Sequence, residues 1–183
     1  MEDPVILQDS PRQKDVSIRL LSIDDVSQIL DVQAEAYTEN YLESEKAFAM
    51  KIVSAPDSCY GAFDSNQVML GYAIAMPLRT HGMSIPLDFS DDFDGIVDIR
   101  AAACIYIHDV AIRQRAARTG LGTALYRTVL HLAEVNKIQL AELVAVQNAM
   151  PYWEKHGFVA CGEAAGGYGS EARKMTRALQ VVQ

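Results

Sequence analysis

The chain has 183 residues, 50% hydrophobic and 22% charged, and 24 acidic against 16 basic side chains give a formal net charge of −8. That length suits one domain with a substantial core, and the acidic balance disfavours nucleic acid, whose phosphates call for a basic face. No apolar run approaches the ~18 residues that would span a bilayer, so no membrane partner is expected. Cys59, Cys104 and Cys161 are odd in number and widely spaced. They argue against a disulfide framework or a zinc site, and they fit a cytoplasmic protein with no metal.

Residues 1–15, "MEDPVILQDSPRQKD", are polar and acidic, unlike a signal peptide, and read as a flexible tail preceding a single domain over 16–183. "VSIRLLS" predicts a first strand. "IDDVSQILDVQAEAY" follows as a helix, with Val26, Ile29, Leu30 and Gln33 on one face and acids in its first turn. A second helix starts near Ser44 and stops before Pro56. "SCYGAFDSNQVMLGYAIAMP" predicts a β-hairpin turning at "DSNQ", with Pro77 ending its second strand. Residues 78–100 form a long connection for which a lid and a mobile surface insertion are equally good readings.

"AAACIYIHDVAI" (101–112) is apolar enough for a central strand covered on both faces. A long helix follows, with Leu121, Leu125, Val129 and Leu132 at helical spacing, and then the strand "LAELVAVQ". "NAMPYWEKHG" predicts a short helix that Asn148 can cap, with Pro151 in its first turn and Gly157 at its end. "FVACGE" and "ARKMTRAL" are two further strands. The order β-α-α-β-β-β-α-β-α-β-β predicts an α/β (α+β) fold, a mixed sheet of about six to seven strands flanked by about four helices.

The segment "IRQRAARTGLG" (112–122) stands out. No acid occurs from Val110 to Ala133, yet Arg113, Arg115, Arg118 and Arg127 fall inside. A strand entering a glycine-bearing turn and then a helix makes an anion site, because the first helical N–H groups lack intrahelical partners and the dipole is positive there. Gly120 and Gly122 allow close approach of a ligand. A dinucleotide fingerprint would need glycine at Leu125, and a Walker loop would need Gly-Lys-Ser/Thr. Neither is present.

"YIHDVAIRQRAARTGLGTALYRTVL" resembles the acetyl-CoA-binding segment of the GNAT (GCN5-related) N-acetyltransferase superfamily, and "PYWEKHGF" (151–158) resembles that family's helix ending in Gly-Phe. The two blocks stand in the family's order and spacing, and the similarity extends over roughly 16–180. The His on the central strand and "PYW" are similar to the arylalkylamine N-acetyltransferase branch. The resemblance implies acetyl-CoA as co-substrate. It implies contacts from Val110, Ala111 and Ile112 on the strand, from Arg115, Ala117, Arg118, Thr119, Gly120, Leu121, Gly122 and Thr123 in the loop and helix start, and from Asn148, Tyr152 and Trp153 in the second block. By position, the Val110 N–H would polarise the thioester and Ile112 would pair with the pantetheine arm.

Two departures qualify it. Ala117 stands where the family usually has Arg or Gln, leaving Arg113, Arg115 or Arg118 to reach the phosphates. Trp153 stands where the family's general-acid tyrosine is usual, and indole cannot serve as that acid.

Acyl transfer to an amine needs a base, and His108 is the leading one. Strict alternation sets Tyr106, His108 and Val110 on one face of the strand and Ile107 and Asp109 on the other. Tyr106 is a proton relay or acid, or else core packing. Asp109 reads as structural. Tyr168, in the glycine-rich connection, is a second acid candidate or an ordinary loop residue. Glu35, Tyr37, Glu39, Tyr41 and Glu43 form an acidic, aromatic patch that would suit a cationic amine, or a solvated face. His131 and His156 read as surface or packing residues.

The reading is acetyl transfer from acetyl-CoA to a primary amine of a small molecule or peptide by direct attack in a ternary complex. A CoA-binding sensor without turnover is the alternative that Trp153 favours. Another acyl donor, a protein lysine as acceptor, and a homodimer all stay open.

Overall fold

The computed structural model describes residues 16–83, 85, 93–164 and 168–180; the expected tail, 1–15, lies outside them, as do 84, 86–92, 165–167 and 181–183. In chain order the elements are β1 (Ser17–Leu20), α1 (Val26–Ala36), α2 (Glu45–Ser54), β2 (Tyr60–Phe63), β3 (Met69–Leu78), β4 (Cys104–Ile112), α3 (Leu121–Val135), β5 (Leu140–Ala145), α4 (Met150–Lys155), β6 (Val159–Glu163) and β7 (Arg173–Ala178). The strands form one seven-stranded sheet in the order β1-β2-β3-β4-β5-β7-β6. β4 and β5 run parallel, as a strand–helix–strand crossover through α3 requires, and the other ladders are antiparallel. The expected mixed α/β architecture is the one found.

The apolar residues divide between two cores, one on each face of the sheet. Val26, Ile29 and Val32 of α1 and Ala47, Phe48 and Ile52 of α2 pack on Tyr72, Ile74 and Met76. Leu121, Leu125, Tyr126, Val129 and Leu130 of α3, with Trp153 and Phe158, pack on Ile105, Ile107 and Leu143 from the other side. Both cores press on β3 and β4, which explains why those strands read as nearly unbroken apolar runs.

Some local expectations change. Pro77 does not end β3, which continues through Leu78 with Pro77 opposite Ile105. Its carbonyl accepts the Val97 N–H at 3.0 Å, so the N–H that proline lacks would have pointed away from the β4 ladder. Asn148 does not cap α4: Ala149 holds the cap position with no side-chain bond, and Asn148 takes a left-handed φ of 60° in the turn before it.

The consequential irregularity lies between β3 and β4. Ile74 pairs with Asp109 and Ala75 with Ile107, so His108 is an extra residue without an opposite partner. A bulge of this kind resets side-chain alternation. Tyr106 and Ala111 belong to the core of α1 and α2, while Val110 and Ile112 pack on the core of α3. Strict alternation had placed Val110 with His108 and Asp109 opposite them; the bulge reverses both. β4 and β5 are paired only from Ile105 to Ile107, and they part where the bulge begins.

Leu125 is wholly buried in α3, and Val135 at the end of the same helix is 56% exposed. Leu125→Ala is expected to destabilise the fold by about 2–5 kcal/mol, and Val135→Ala to stay within about 0.5 kcal/mol. Urea unfolding read by circular dichroism checks both.

Candidate active site

Where β4 and β5 part, a cleft of about 500 Å³ opens on the carboxyl end of β4. Its walls come from β4 (Ile107–Ile112), the loop and first turn of α3 (Ala116–Arg118, Gly120–Thr123), α4 (Tyr152, Trp153), and the connection between α1 and α2 (Tyr37, Tyr41, Glu43).

One end is an anion cradle. Arg118 (φ 64°) and Gly120 (φ 87°) both take left-handed backbone, and Gly120 precedes α3. The first helical bond is Ala124 N–H to the Gly120 carbonyl, so the N–H groups of Leu121, Gly122 and Thr123 have no main-chain acceptor among the described residues. A Cβ on Gly120 would meet nothing within 4 Å. Four donors and acceptors of the expected set lie elsewhere. Arg113 pairs with Glu35 and donates to the Met69 carbonyl at 2.7 Å, so it ties the loop to α1 and β3. Arg115 sits 3.7 Å from Asp64. Thr119 closes its own turn on the Ala116 carbonyl at 2.7 Å. Neither Arg115, Thr119 nor Asn148 lines the cleft, whereas Arg118 does and makes no ion pair among the described residues.

The other end is a buried polar array. His108 Nε2 lies 2.9 Å from Glu43 Oε1, and the side chains are 1% and 2% exposed. Lys51, from α2 and wholly buried, donates to Glu43 Oε2. The main chain of Glu43 is held by the Gln33 side chain of α1, which donates to the Glu43 carbonyl at 2.8 Å and accepts its N–H at 3.0 Å. Asp109 accepts the hydroxyls of Tyr37 and, at 2.5 Å, Tyr72. Burial pushes the Glu43 carboxyl up, but His108 and Lys51 outweigh it and hold the group below the ordinary glutamate value. Burial raises Asp109, more than its two tyrosines and His108 lower it. Burial likewise lowers Lys51 despite Glu43. The two buried carboxyl groups are thus shifted in opposite directions, as in sites that divide acid and base roles.

Tyr106 and Tyr168 sit in different surroundings. Tyr106 is fully buried and does not line the cleft; its hydroxyl has no partner in hydrogen-bonding geometry among the described residues, and burial raises its pKa well above 10, with Tyr168 nearby adding to the rise. Tyr168 does line the cleft, but its hydroxyl donates to the Ile85 carbonyl at 2.6 Å, and burial pushes it up to about 12. Its own carbonyl accepts from Tyr41 at 3.2 Å. The long connection after β3 is anchored nearby. Glu142 accepts the Gly82 N–H at 2.8 Å, and Lys174 donates to the Gly82 carbonyl at 2.5 Å.

Trp153 belongs to the α3-side core, edge-on to Tyr126, Tyr152 and Phe158 at 5.2–5.4 Å between ring centres. Tyr152 meets the Thr123 hydroxyl at 3.2 Å. Cys59 and Cys104 are buried, which raises each thiol to about 12. The sequence reading missed Lys51, Tyr72 and the partnership of Asp109 with tyrosines; a lysine inside the apolar face "AFAMKIV" was the available signal for the first.

The model of the Acetyltransferase (GNAT) family matches residues 25–158, which include the bulged strand, the glycine loop and α4. The chain belongs to the GNAT family. Among curated proteins no sequence matches it. The GNAT fold is seen in similar solved structures. Ard1 from Thermoplasma volcanium has a TM-score of 0.67 at 17% identity, over 90% of this chain and 98% of that one. The PaiA N-acetyltransferase from Thermoplasma acidophilum, in complex with coenzyme A, gives 0.65 at 16%, over 89% and 98%. The ribosomal-protein-S18-alanine N-acetyltransferase from Escherichia coli gives 0.65 at 16%, over 92% and 96%. As a GNAT-family chain the protein is an acyltransferase by family. Among its described residues no helix is long and apolar enough to cross a membrane.

Because Glu43 is held below the ordinary value of 4.5, its contribution to folding is complete above that value and is lost as pH falls through its depressed folded value. Asp109, with a raised value, acts in the opposite sense and gains on protonation. Between neutrality and about pH 3, wild-type stability is expected to fall more steeply than that of Glu43→Gln. Urea midpoints across that range measure it.

Proposed function

We propose that the cleft transfers an acetyl group from acetyl-CoA to the primary amine of a small molecule or peptide, by direct attack within a ternary complex. The observation that carries the proposal is the alignment of two unlike ends along one bulged strand, an anion cradle at one and a buried base array at the other. The domain would run over 16–183, in a cytoplasmic setting.

The residues present fit CoA. Free N–H groups of Leu121, Gly122 and Thr123, the Arg118 guanidinium and the open space at Gly120 suit a pyrophosphate. Main-chain groups of Val110, Ala111 and Ile112, no longer paired to β5, suit the amide-bearing pantetheine arm, and Tyr152 and Trp153 wall its far side. CoA supplies the acyl thioester and a thiolate leaving group.

The chain's own part is to hold the amine and take its proton. Glu43 and Asp109 outnumber Lys51 beside Tyr37, Tyr41 and Tyr168, so the pocket is suited to an acceptor arriving as a cation. His108 removes one ammonium proton, which frees the nitrogen lone pair to form the C–N bond as the C–S pair goes to sulfur. The second amine proton and the thiolate balance, leaving one proton for solvent. Tyr168 remains protonated at neutral pH, but its proton is committed to the Ile85 carbonyl. A thiolate is stable enough to depart without an enzymic acid. A CoA-binding sensor is the second reading, favoured by Trp153 buried where an acid would be needed.

Two experiments test this. A Cβ on Gly122 would meet Ile112 at 3.4 Å and Tyr152 at 3.7 Å, ordinary contacts, so Gly122→Ala should leave thermal stability unchanged or raised. It should nevertheless weaken CoA binding by about tenfold or more in calorimetric titration, from loss of close approach at the first turn. In a thiol-release assay over arylalkylamines, polyamines and peptides, amine-dependent release should fall by about 10²–10⁴-fold in His108→Ala with CoA binding kept. CoA binding with no release for any amine would favour the sensor, and no CoA binding would end both readings.

A further inference from the structure

His108 is held by one nitrogen only. Nε2 meets Glu43, whereas Nδ1 is buried without any hydrogen-bond partner among the described residues. A carboxylate offers acceptor sites alone, so a ring carrying its proton on Nδ1 would set the bare Nε2 lone pair against Glu43 oxygen. It would also leave a buried N–H without an acceptor, since no group of the described residues lies in hydrogen-bonding geometry with Nδ1.

We propose that Lys51 is a positioning residue that, through Glu43, keeps His108 neutral with its proton on Nε2 and leaves the Nδ1 lone pair to accept the substrate's proton. This rests on the reading of His108 as the base. Glu43 is clamped along its main chain by Gln33, and its second carboxylate oxygen is taken by Lys51. Without Lys51, a buried anion would face His108 alone and draw a second proton onto the ring, which would fill Nδ1 in advance. With Lys51, the anion is already balanced and the ring can stay neutral. When an ammonium proton moves to Nδ1, Glu43 is in place to face the imidazolium that forms.

Other titratable groups surround the ring. Tyr106 and Asp109 share β4 with it, Tyr72 comes from β3, Tyr37 and Tyr41 from the α1–α2 connection, and Tyr168 from the segment before β7. Asp109 is occupied by Tyr37 and Tyr72, which leaves Glu43 as the carboxylate bonded to the imidazole.

Nitrogen-15 NMR of the histidine side chains in the full chain tests this without any substrate. In wild type near neutral pH, His108 should show a protonated Nε2 and a pyridine-like Nδ1; a protonated Nδ1 with bare Nε2 would overturn the proposal. In Lys51→Met, the ratio of doubly protonated to neutral His108 should rise by about tenfold or more, and in Glu43→Gln, where the anion facing the ring is removed, it should fall. The pH profile of CoA release should follow, about one unit alkaline in Lys51→Met and acid-shifted in Glu43→Gln, with kcat moving and KM for acetyl-CoA steady. A merely structural Lys51 would give no such opposed pair, and shifts in the same direction, or none in folded variants, would refute the proposal. Should Lys51→Met fail to fold, the wild-type tautomer and Glu43→Gln decide. Should no amine be acetylated, the NMR result still stands or falls by itself, separately from the catalytic reading.

Discussion

One extra residue in β4, His108, governs the geometry of everything around it. Without the bulge, Asp109 would face the α3 core and Val110 the α1–α2 core, and β4 could go on pairing with β5. With it, two consecutive polar side chains reach the same layer, and the main chain beyond them is released from the sheet. A single irregularity therefore makes both the wall of the cleft and the place where polar chemistry is collected. Bulges beside active sites commonly re-aim side chains in this way.

The layer that receives these side chains has been built to take charge out of water. Burying an ion is costly unless it is paired and hydrogen-bonded, and here each buried charge has a fixed partner: Lys51 with Glu43, Glu43 with His108, Asp109 with two tyrosines. The framework holding them is ordinary helix packing. Gln33 sits on the buried face of α1 and Lys51 on that of α2, each one step along a stripe that is otherwise apolar. Polar groups in those stripes weaken hydrophobic packing locally, and the satisfied network is what offsets it.

Much of the fold was legible because the periodicity of this chain is clear. Leu121, Leu125 and Val129 mark α3, Val26 and Ile29 mark α1, and the nearly unbroken apolar run of β4 announces a strand covered on both sides. The glycine loop was equally readable, since αL backbone before a helix leaves a local signature. The bulge was not, because it is a matter of register between strands and "IYIHDVAI" alternates acceptably without it. That one hidden step misplaced Asp109 and Val110. The partners of His108 were hidden for a related reason. Glu43 and Lys51 lie 65 and 57 positions away in the chain, and only the packing of α1, α2 and their connection on one face of the sheet brings them together. The arginines of the loop show the reverse case, where local composition overstated the site: Arg113 and Arg115 are consumed by carboxylates of neighbouring elements, and Arg118 is the one left at the cleft.

The aromatic wall has a practical consequence. Trp153 is the sole tryptophan of the chain, and it forms part of the cleft while packed against Tyr126, Tyr152 and Phe158. Its emission therefore comes from a single seam, between α4 and the ligand space, with no second indole to dilute the signal. The unlabelled protein carries its own optical gauge, sensitive to what enters the cleft and to any loosening of the helix that walls it.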